Sequence, residues 1–242
     1  MTQIRSPLAS LLTAGVWLLA GACGPGVATP MPEPPTVFDL SQVGGPTQEP
    51  ALEGQGPAMI YGAPGSVPPF ATVRVTNLDL PVEAAASDAR DDGSFNVPVT
   101  VENGQELRFD WIQGDQRSEP ADALFVQPDP AQPGFTLELS PRFDCLKLTP
   151  GFLLEFGADG PVTLSLASSC DSAVTLDNAR SRIGLTDFTP QTALPLSLAP
   201  GDSAELSIDF SRSTAGFRED TLLVDVTLDA ETIRYPITLR AP

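Results

Sequence analysis

The sequence predicts an all-β chain in which two tandem β-sandwiches follow an N-terminal export signal and a proline-rich tether. Three observations predict this fold class. Short runs alternate apolar and polar residues with a period of two, the pattern of a strand with one buried face. Clusters of glycine, proline, asparagine and aspartate separate these runs at the spacing of short strands. After the export signal no segment has the period of a long helix, and at most one helical turn is expected, near residues 82–87.

Composition and charge exclude most classes of function. The chain has 242 residues, with 31 acidic and 13 basic side chains and a formal net charge of −18. Such a chain repels nucleic-acid phosphate, so no nucleic-acid partner is expected. It contains no histidine, which excludes Ser-His-Asp triads, Cys-His dyads and histidine-ligated metal centres. We therefore expect no catalytic residue and no cofactor; a hydrolase that uses two carboxylates is the enzyme class that composition leaves open.

Residues 1–22 have the pattern of a signal peptide. A short polar start with one cation, Arg5, precedes an apolar run over residues 8–22. At about 1.5 Å per residue this run is too short to cross a hydrocarbon core of about 30 Å, and no stop-transfer pattern follows it. The chain is therefore expected to be exported.

The apolar run ends in Leu-Ala-Gly-Ala before Cys23 and Gly24. This ending resembles the lipobox of bacterial lipoproteins, with Ala20 at a position where leucine is more common. The resemblance implies that the signal is removed and that Cys23 carries covalent lipid (palmitate or a similar acyl chain), which anchors the protein to a membrane. Gly24 in place of an aspartate implies the outer membrane, with the periplasmic or the extracellular face left open. The alternative is ordinary signal cleavage after Ala22, which leaves Cys23 as a free thiol.

Residues 23–56 are expected to form the lipidated cysteine and an extended, mobile tether, because seven prolines fall between Pro25 and Pro50 and no strand or helix period is present. Within this tether, residues 37–40 form a small apolar cluster. We interpret the cluster as incidental, with docking onto a neighbouring domain as the alternative.

Residues 57–127 are predicted to form the first sandwich. Alternating runs cover residues 73–76, 95–101 and 107–111, with their polar positions directed to water. Asn103-Gly104 favours a type I′ turn, which predicts a hairpin between residues 95–101 and 106–112. Pro98 lacks an amide donor and places its strand at a sheet edge. Trp111 continues an apolar face and is expected in the core.

Two segments of this block, residues 65–77 and 91–95, resemble bacterial Ig-like repeats of the carboxypeptidase-regulatory type. The resemblance implies a small sandwich that binds or spaces rather than one that performs chemistry. The loop at residues 88–93 concentrates carboxylates, of which Asp88, Asp91 and Asp92 are candidates for holding calcium. We expect a solvated turn here, because EF-hand spacing is absent.

Residues 128–134 form a proline-rich joint, and residues 135–242 are predicted to form the second sandwich. Its alternating runs are residues 135–139, 162–166, 204–210, 222–228 and 233–239. Without Cys23 the chain keeps two cysteines, and an even number in an oxidising compartment predicts a disulfide between Cys145 and Cys170. Two independent buried thiols are the alternative.

Residues 194–210 resemble the Ig-like domains of the Hydin and major sperm protein type, on a Pro-Gly turn followed by an alternating strand. Together these features predict an outer-membrane lipoprotein that acts as a non-enzymatic structural or interaction subunit of a cell-envelope assembly. The strong acidic balance favours a protein partner with a basic face. A surface adhesin or ligand-binding module that uses loop tips is the alternative. An exposed, unpaired edge strand beside an apolar patch would favour assembly by strand addition.

Overall fold

The computed structural model describes residues 38–44, 56–127 and 134–242. These residues form eighteen strands and a short 3₁₀ turn at Leu40–Gln42, and contain no α-helix, which confirms the all-β fold class. No helix in these ranges is long and apolar enough to cross a membrane. The helical turn expected near residues 82–87 is replaced by the start of a strand, Ala85–Asp88.

The first sandwich consists of two sheets. Sheet I is antiparallel, in the spatial order β1 (Val43–Gly44), β2 (Gly56–Gly62) and β5 (Phe95–Val101). Sheet II is also antiparallel, and its strands are β4 (Ala85–Asp88), β3 (Thr72–Asn77), β6 (Glu106–Gln113), β8 (Ala121–Val126) and β9 (Thr136–Leu139), with β7 (Gln116–Arg117) beside β6. The apolar faces of the two sheets enclose a core that includes Ile60, Val75, Val97, Phe109 and Trp111.

The second sandwich also consists of two sheets. Sheet III has the order β11 (Leu153–Glu155), β18 (Glu231–Ala241), β17 (Arg218–Leu228), β13 (Val174–Ser181) and β15 (Leu196–Leu198). Sheet IV has the order β10 (Leu146–Thr149), β12 (Gly160–Ser168), β16 (Ser203–Phe210) and β14 (Phe188–Pro190). In these two sheets β11 pairs with β18 in parallel, and the other neighbours are antiparallel. Between them lies a second core, which includes Phe156, Leu164, Leu176, Ile208 and Val226. The predicted strands at 162–166, 204–210, 222–228 and 233–239 all lie within these elements.

The Cys145–Cys170 disulfide is confirmed. It joins the start of β10 to the end of β12, beyond the pair Leu146 and Ser168 that closes their ladder. The main chain supports the link, because the Ser169 amide donates to the Cys145 carbonyl at 2.7 Å. The bridge therefore holds together the end of a two-strand pair at the edge of sheet IV.

The two sandwiches stack through the outer faces of sheets II and III, which gives four layers in the order I, II, III, IV. Arg108 of β6 is buried and donates to Thr238 Oγ1 of β18 at 2.7 Å and to the Pro236 carbonyl. The sequence predicted that the polar face of β6 points to water. That prediction is wrong: Glu106, Arg108 and Asp110 are all buried, because a second sheet covers the face that the period-two pattern marks as polar.

The hairpin expected around Asn103-Gly104 does not form. The chain does turn there, with Gly104 at φ +86°, but β5 pairs with β2 in sheet I while β6 pairs with β3 and β8 in sheet II. The turn therefore carries the chain across the core from one sheet to the other. The prediction that Pro98 marks an edge strand is confirmed, because β5 is the last strand of sheet I.

The segment 135–139 belongs to the first sandwich, although the sequence placed it in the second. Strand β9 pairs with β8, with Leu137 opposite Phe125 and Leu139 opposite Ala123. Residues 128–134 therefore connect two neighbouring strands of one sheet. The chain passes from one sandwich to the other after Leu139.

The apolar cluster at residues 37–40, interpreted as incidental, includes a core residue. Phe38 is 2% exposed and packs against Phe95 and Phe109, with ring centroids 6.1 and 5.6 Å away. Its amide donates to the Glu119 carbonyl at 3.3 Å. The first sandwich thus begins at least as early as Phe38, inside the segment that composition marks as a tether.

Candidate functional site

The structure describes some of the predicted site residues and not others. Cys23 and the lipobox lie outside the described residues. Cys145 and Cys170 form the structural disulfide described above. Trp111 is buried in the first core, as predicted.

The calcium candidates lie in a turn closed by its own hydrogen bonds. The Thr72 hydroxyl donates to Asp88 at 2.8 Å, and the Ser94 amide donates to Asp92 at 2.9 Å. The hydrogen bonds from Ser94 lower the pKa of Asp92, which therefore stays ionised at neutral pH. Among the described residues, no group of three or more carboxylates or thiols is arranged to hold a metal ion.

The glycine in this turn is required by its surroundings. Gly93 has φ +76°, and a Cβ at this position would lie 2.2 Å from the Val67 carbonyl oxygen. The close approach packs the turn against residues 65–69. Asp91 and Asp92 then border an open recess of about 580 Å³ whose lining also includes Trp111 and Asp39.

The feature that stands out in the first sandwich is the open edge of sheet II. Strand β9 is the last strand of that sheet. Side chains of β9 and of the residue before it alternate: Phe135 and Leu137 pack against the core, whereas Thr136 and Glu138 are exposed. Leu139 lies on the core-facing side in this alternation, yet it is 75% exposed. An apolar residue on the inward face of an edge strand is thus left uncovered by the described residues.

The main-chain groups of β9 alternate in direction as well. The Ser140 amide donates to the Asp122 carbonyl at 3.0 Å, and the main chain of Phe125 bonds to Gly104 and Gln105 on its other side. In an antiparallel pair the residues that bond to the neighbour alternate with residues that point away. The amides and carbonyls of Leu137 and Leu139 therefore point away from β8, toward the open side.

A groove runs beside this edge. Its volume is about 530 Å³, and its lining is mostly apolar: Phe38, Leu40, Ala121, Leu137 and Leu139, together with Asp39 and Ser41. The groove exists because the sheets are unequal. Among the described residues, sheet I has three strands against five on the main path of sheet II, and strand β1, at the same side of the sandwich, is two residues long. Asp39 also lines the acidic recess, so the groove and the recess adjoin.

Exposed carboxylates lie at one end of the groove and on the opposite face of β9. Glu138 lies on the solvent face of β9, and Asp39 and Glu119 lie at the end where Phe38 enters the core. The hydrogen bonds from Ser41 lower the pKa of Asp39, so this carboxylate is ionised at neutral pH. The edge therefore has an apolar groove with Asp39 on one face of β9 and the exposed carboxylate of Glu138 on the other.

The chain that follows β9 is fixed at both ends. Arg142 donates to Glu106 and Asp122 of the first sandwich, each at 2.9 Å. The Phe143 amide donates to the Tyr235 hydroxyl of the second sandwich at 2.7 Å. Because these contacts hold residues 140–143 between the sandwiches, the edge strand is presented in a fixed position.

Further ion pairs join the sandwiches. Arg74 and Arg117 both bind the buried Asp110, and both reach Glu219 of β17, at 2.6 and 2.8 Å. Arg234 of β18 binds Asp79 at 2.6 Å. The sequence did not predict this interface between the sandwiches. The one available signal was that Glu106, Arg108 and Asp110, the successive polar positions of β6, are all charged.

Comparisons with known proteins add no functional argument. No protein-family model matches the sequence, and comparison with curated proteins finds no match. Among solved structures, the VesB protease of Vibrio cholerae is 10% identical over 73% of this chain and 63% of its own, with a TM-score of 0.36. A protein of unknown function from Porphyromonas gingivalis W83 is 14% identical over 83% of this chain and 96% of its own, with a TM-score of 0.34. Salmonella alpha-2-macroglobulin is 14% identical over 83% of this chain, which spans 16% of it, with a TM-score of 0.27. At these values the similarities carry no inference about activity.

Proposed function

We propose that this protein is a lipid-anchored, non-enzymatic interaction module of the bacterial cell envelope, and that the open edge at β9 is where it binds a partner protein with a basic face. The observation that carries the proposal is the inward-facing Leu139, which is three-quarters exposed beside an apolar groove, on a strand whose outer side pairs with none of the described residues. Exposed edge strands are templates for pairing with another chain, and natural proteins usually protect them with charge, proline or a covering loop.

The surroundings of the groove support a role in binding a partner protein. Its apolar lining is contiguous, and both the entering segment at Phe38 and the chain after β9 are fixed by hydrogen bonds to neighbouring elements. A rigid edge loses little conformational entropy on binding. The carboxylates at its margin attract a basic partner and repel an acidic one.

The anchor is proposed from the lipobox resemblance at Cys23. Replacing Cys23→Ser should leave the signal uncleaved or release the protein into the soluble fraction, because the acyl chains that hold it to the bilayer are lost. Radiolabelled palmitate incorporation and membrane fractionation of cells measure this, and Cys145→Ser with Cys170→Ser serves as the control that keeps the label. Normal cleavage with full membrane retention of the Cys23 variant would contradict the anchor.

The docking edge is tested by placing a cation in the groove. Leu139→Arg should weaken retention of the envelope partner by about thirtyfold or more, since it removes an apolar contact at the centre of the site and repels a basic partner. Pull-down from envelope extract and titration of the recovered partner give the measurement. Retention by the unaltered protein should also fall as salt rises.

The matched control is Val82→Arg. This residue is another exposed aliphatic side chain of the first sandwich, 47% exposed, and it lies outside the groove lining. Its replacement adds the same charge and should change retention by less than about threefold. Equal loss in the two variants would mean that overall charge, rather than the β9 edge, controls binding.

A further inference from the structure

We infer that the partner supplies an extended strand whose apolar side chains alternate with lysine or arginine, and that this strand pairs with the main chain of Leu137 and Leu139. The inference rests on the proposed docking function and specifies the chemistry of the occupant. It follows from three properties of the β9 edge: the direction of its main chain, the apolar character of one face and the charge of the other.

The main chain of β9 favours a partner segment in an extended conformation. The amides and carbonyls of Leu137 and Leu139 point away from β8 and form no hydrogen bond with the described residues outside their own strand. These groups recur every second residue, at the spacing of a β-ladder. A helix has its own amides and carbonyls paired internally, so it offers no complementary row, whereas an added strand satisfies each group.

The two faces of β9 favour a partner strand in which apolar and basic side chains alternate. A strand added at this edge has one set of side chains above the groove of Phe38, Leu40 and Leu139, and the next set on the opposite face beside the exposed Glu138. Apolar side chains on the first set bury the exposed leucine. Lysine or arginine on the second set pairs with Glu138 across the strands, an arrangement that stabilises a sheet.

Charge also distinguishes a foreign partner from a second copy of this chain. Pairing two β9 edges would place Glu138 of one copy close to that of the other, and would join two strongly acidic molecules, since the full sequence has a formal net charge of −18. Like charges opposite each other destabilise a ladder. The edge therefore favours a basic strand from another protein over self-association.

The test uses the purified full chain and synthetic peptides of about eight residues. The probe alternates valine and lysine; one control alternates serine and lysine, with the same charge and no apolar face, and the other alternates valine and glutamate. At about 0.15 M salt the Val–Lys peptide should bind at least about tenfold more tightly than either control. Equal binding of the Ser–Lys peptide would overturn the inference, because it would show adsorption to the acidic surface.

Two variants and one direct measurement locate the binding. Leu139→Pro removes an amide that points to the open side and breaks no bond to β8, so it should abolish peptide binding while the fold persists. Leu139→Val keeps the amide and should retain affinity within about threefold. In the unaltered protein, peptide should slow hydrogen exchange at the Leu137 and Leu139 amides. Unchanged exchange at both, or full binding by Leu139→Pro, would overturn strand addition.

The outcome separates this inference from the proposed function. If the envelope partner is lost with Leu139→Arg while no alternating peptide binds, docking at the edge stands and the chemistry assigned to the occupant is wrong. If the partner binds equally well to Leu139→Arg, and the peptide also fails, both are wrong. Self-association of the purified chain through β9, lost with Leu139→Pro, would replace the foreign strand by a second copy.

Discussion

Replacing Phe38→Ala should lower the free energy of unfolding by about 3–5 kcal/mol, the range for deleting a fully buried phenylalanine. The side chain is 2% exposed and lies against Phe95 and Phe109. Its loss leaves a cavity between the two sheets that the aromatic neighbours can fill only in part. The measurement is equilibrium unfolding in urea, monitored by tryptophan fluorescence, since Trp111 belongs to the same core.

The matched control is Phe70→Ala. Phe70 is 70% exposed, so the same truncation should change stability by no more than about 0.5 kcal/mol. If Phe38→Ala proved as mild as this control, the segment from residue 38 would be a tether that merely rests on the sandwich. A loss in the expected range would show that folding of the first sandwich requires residues in the proline-rich region.

Replacing Asp110→Ala should cost about 3–5 kcal/mol, because it leaves two partly buried arginines without their shared, buried carboxylate. Asp110 is 4% exposed, and Arg74 binds it through two bonds, at 2.9 and 2.6 Å. Arg117 binds the same carboxylate, and both arginines are then left with Glu219 of the second sandwich. The loss should therefore loosen the contact between the sandwiches as well as the first sandwich itself.

The loss of stability in Asp110→Ala should also depend on pH. Burial raises the pKa of Asp110, but the hydrogen bonds and charges of Arg74 and Arg117 outweigh it, and the pKa falls below its ordinary value of 3.8. A carboxyl with a depressed pKa contributes stability in full above its unfolded pKa and loses it as pH falls through the folded pKa. The stability difference between the unaltered protein and Asp110→Ala should hold from pH 7 to about 4 and shrink below that.

The control for Asp110→Ala is Asp159→Ala, which breaks an exposed ion pair with Arg212 that spans 3.9 Å. An exposed pair of this kind contributes little, so stability should change by no more than about 0.5 kcal/mol. Urea unfolding across the pH series measures all three proteins. A gap between the unaltered protein and Asp110→Ala that did not change below pH 4 would mean that the lost contribution is packing rather than charge.

The local features of this protein could be predicted from its sequence because they depend on neighbours along the chain. Alternation at residues 204–210 and 222–228 marks one buried face, and both segments are strands. Pro98 marks an edge because a missing amide is a property of the residue itself. The link between Cys145 and Cys170 follows from counting cysteines in a chain that begins with the pattern of an export signal.

Sheet partners and the groove beside β9 depended on contacts between distant parts of the chain. Alternation identifies the apolar face of a strand but does not identify its neighbour, so β5 was paired with the wrong strand and β9 was placed in the wrong sandwich. The groove at Leu139 arises only when the segment at Phe38 meets β9, about one hundred residues later in the chain.

By itself, then, the sequence determined an all-β chain, the positions of eight of the eighteen strands that the structure describes and a pair of bonded cysteines. Only the tertiary structure decided which polar face is buried. Alternating polar residues are compatible with water or with a second charged surface, because both satisfy a carboxylate or a guanidinium. For Arg108 and Asp110 the second surface is sheet III, and the arginines and carboxylates that meet there hold the two sandwiches together.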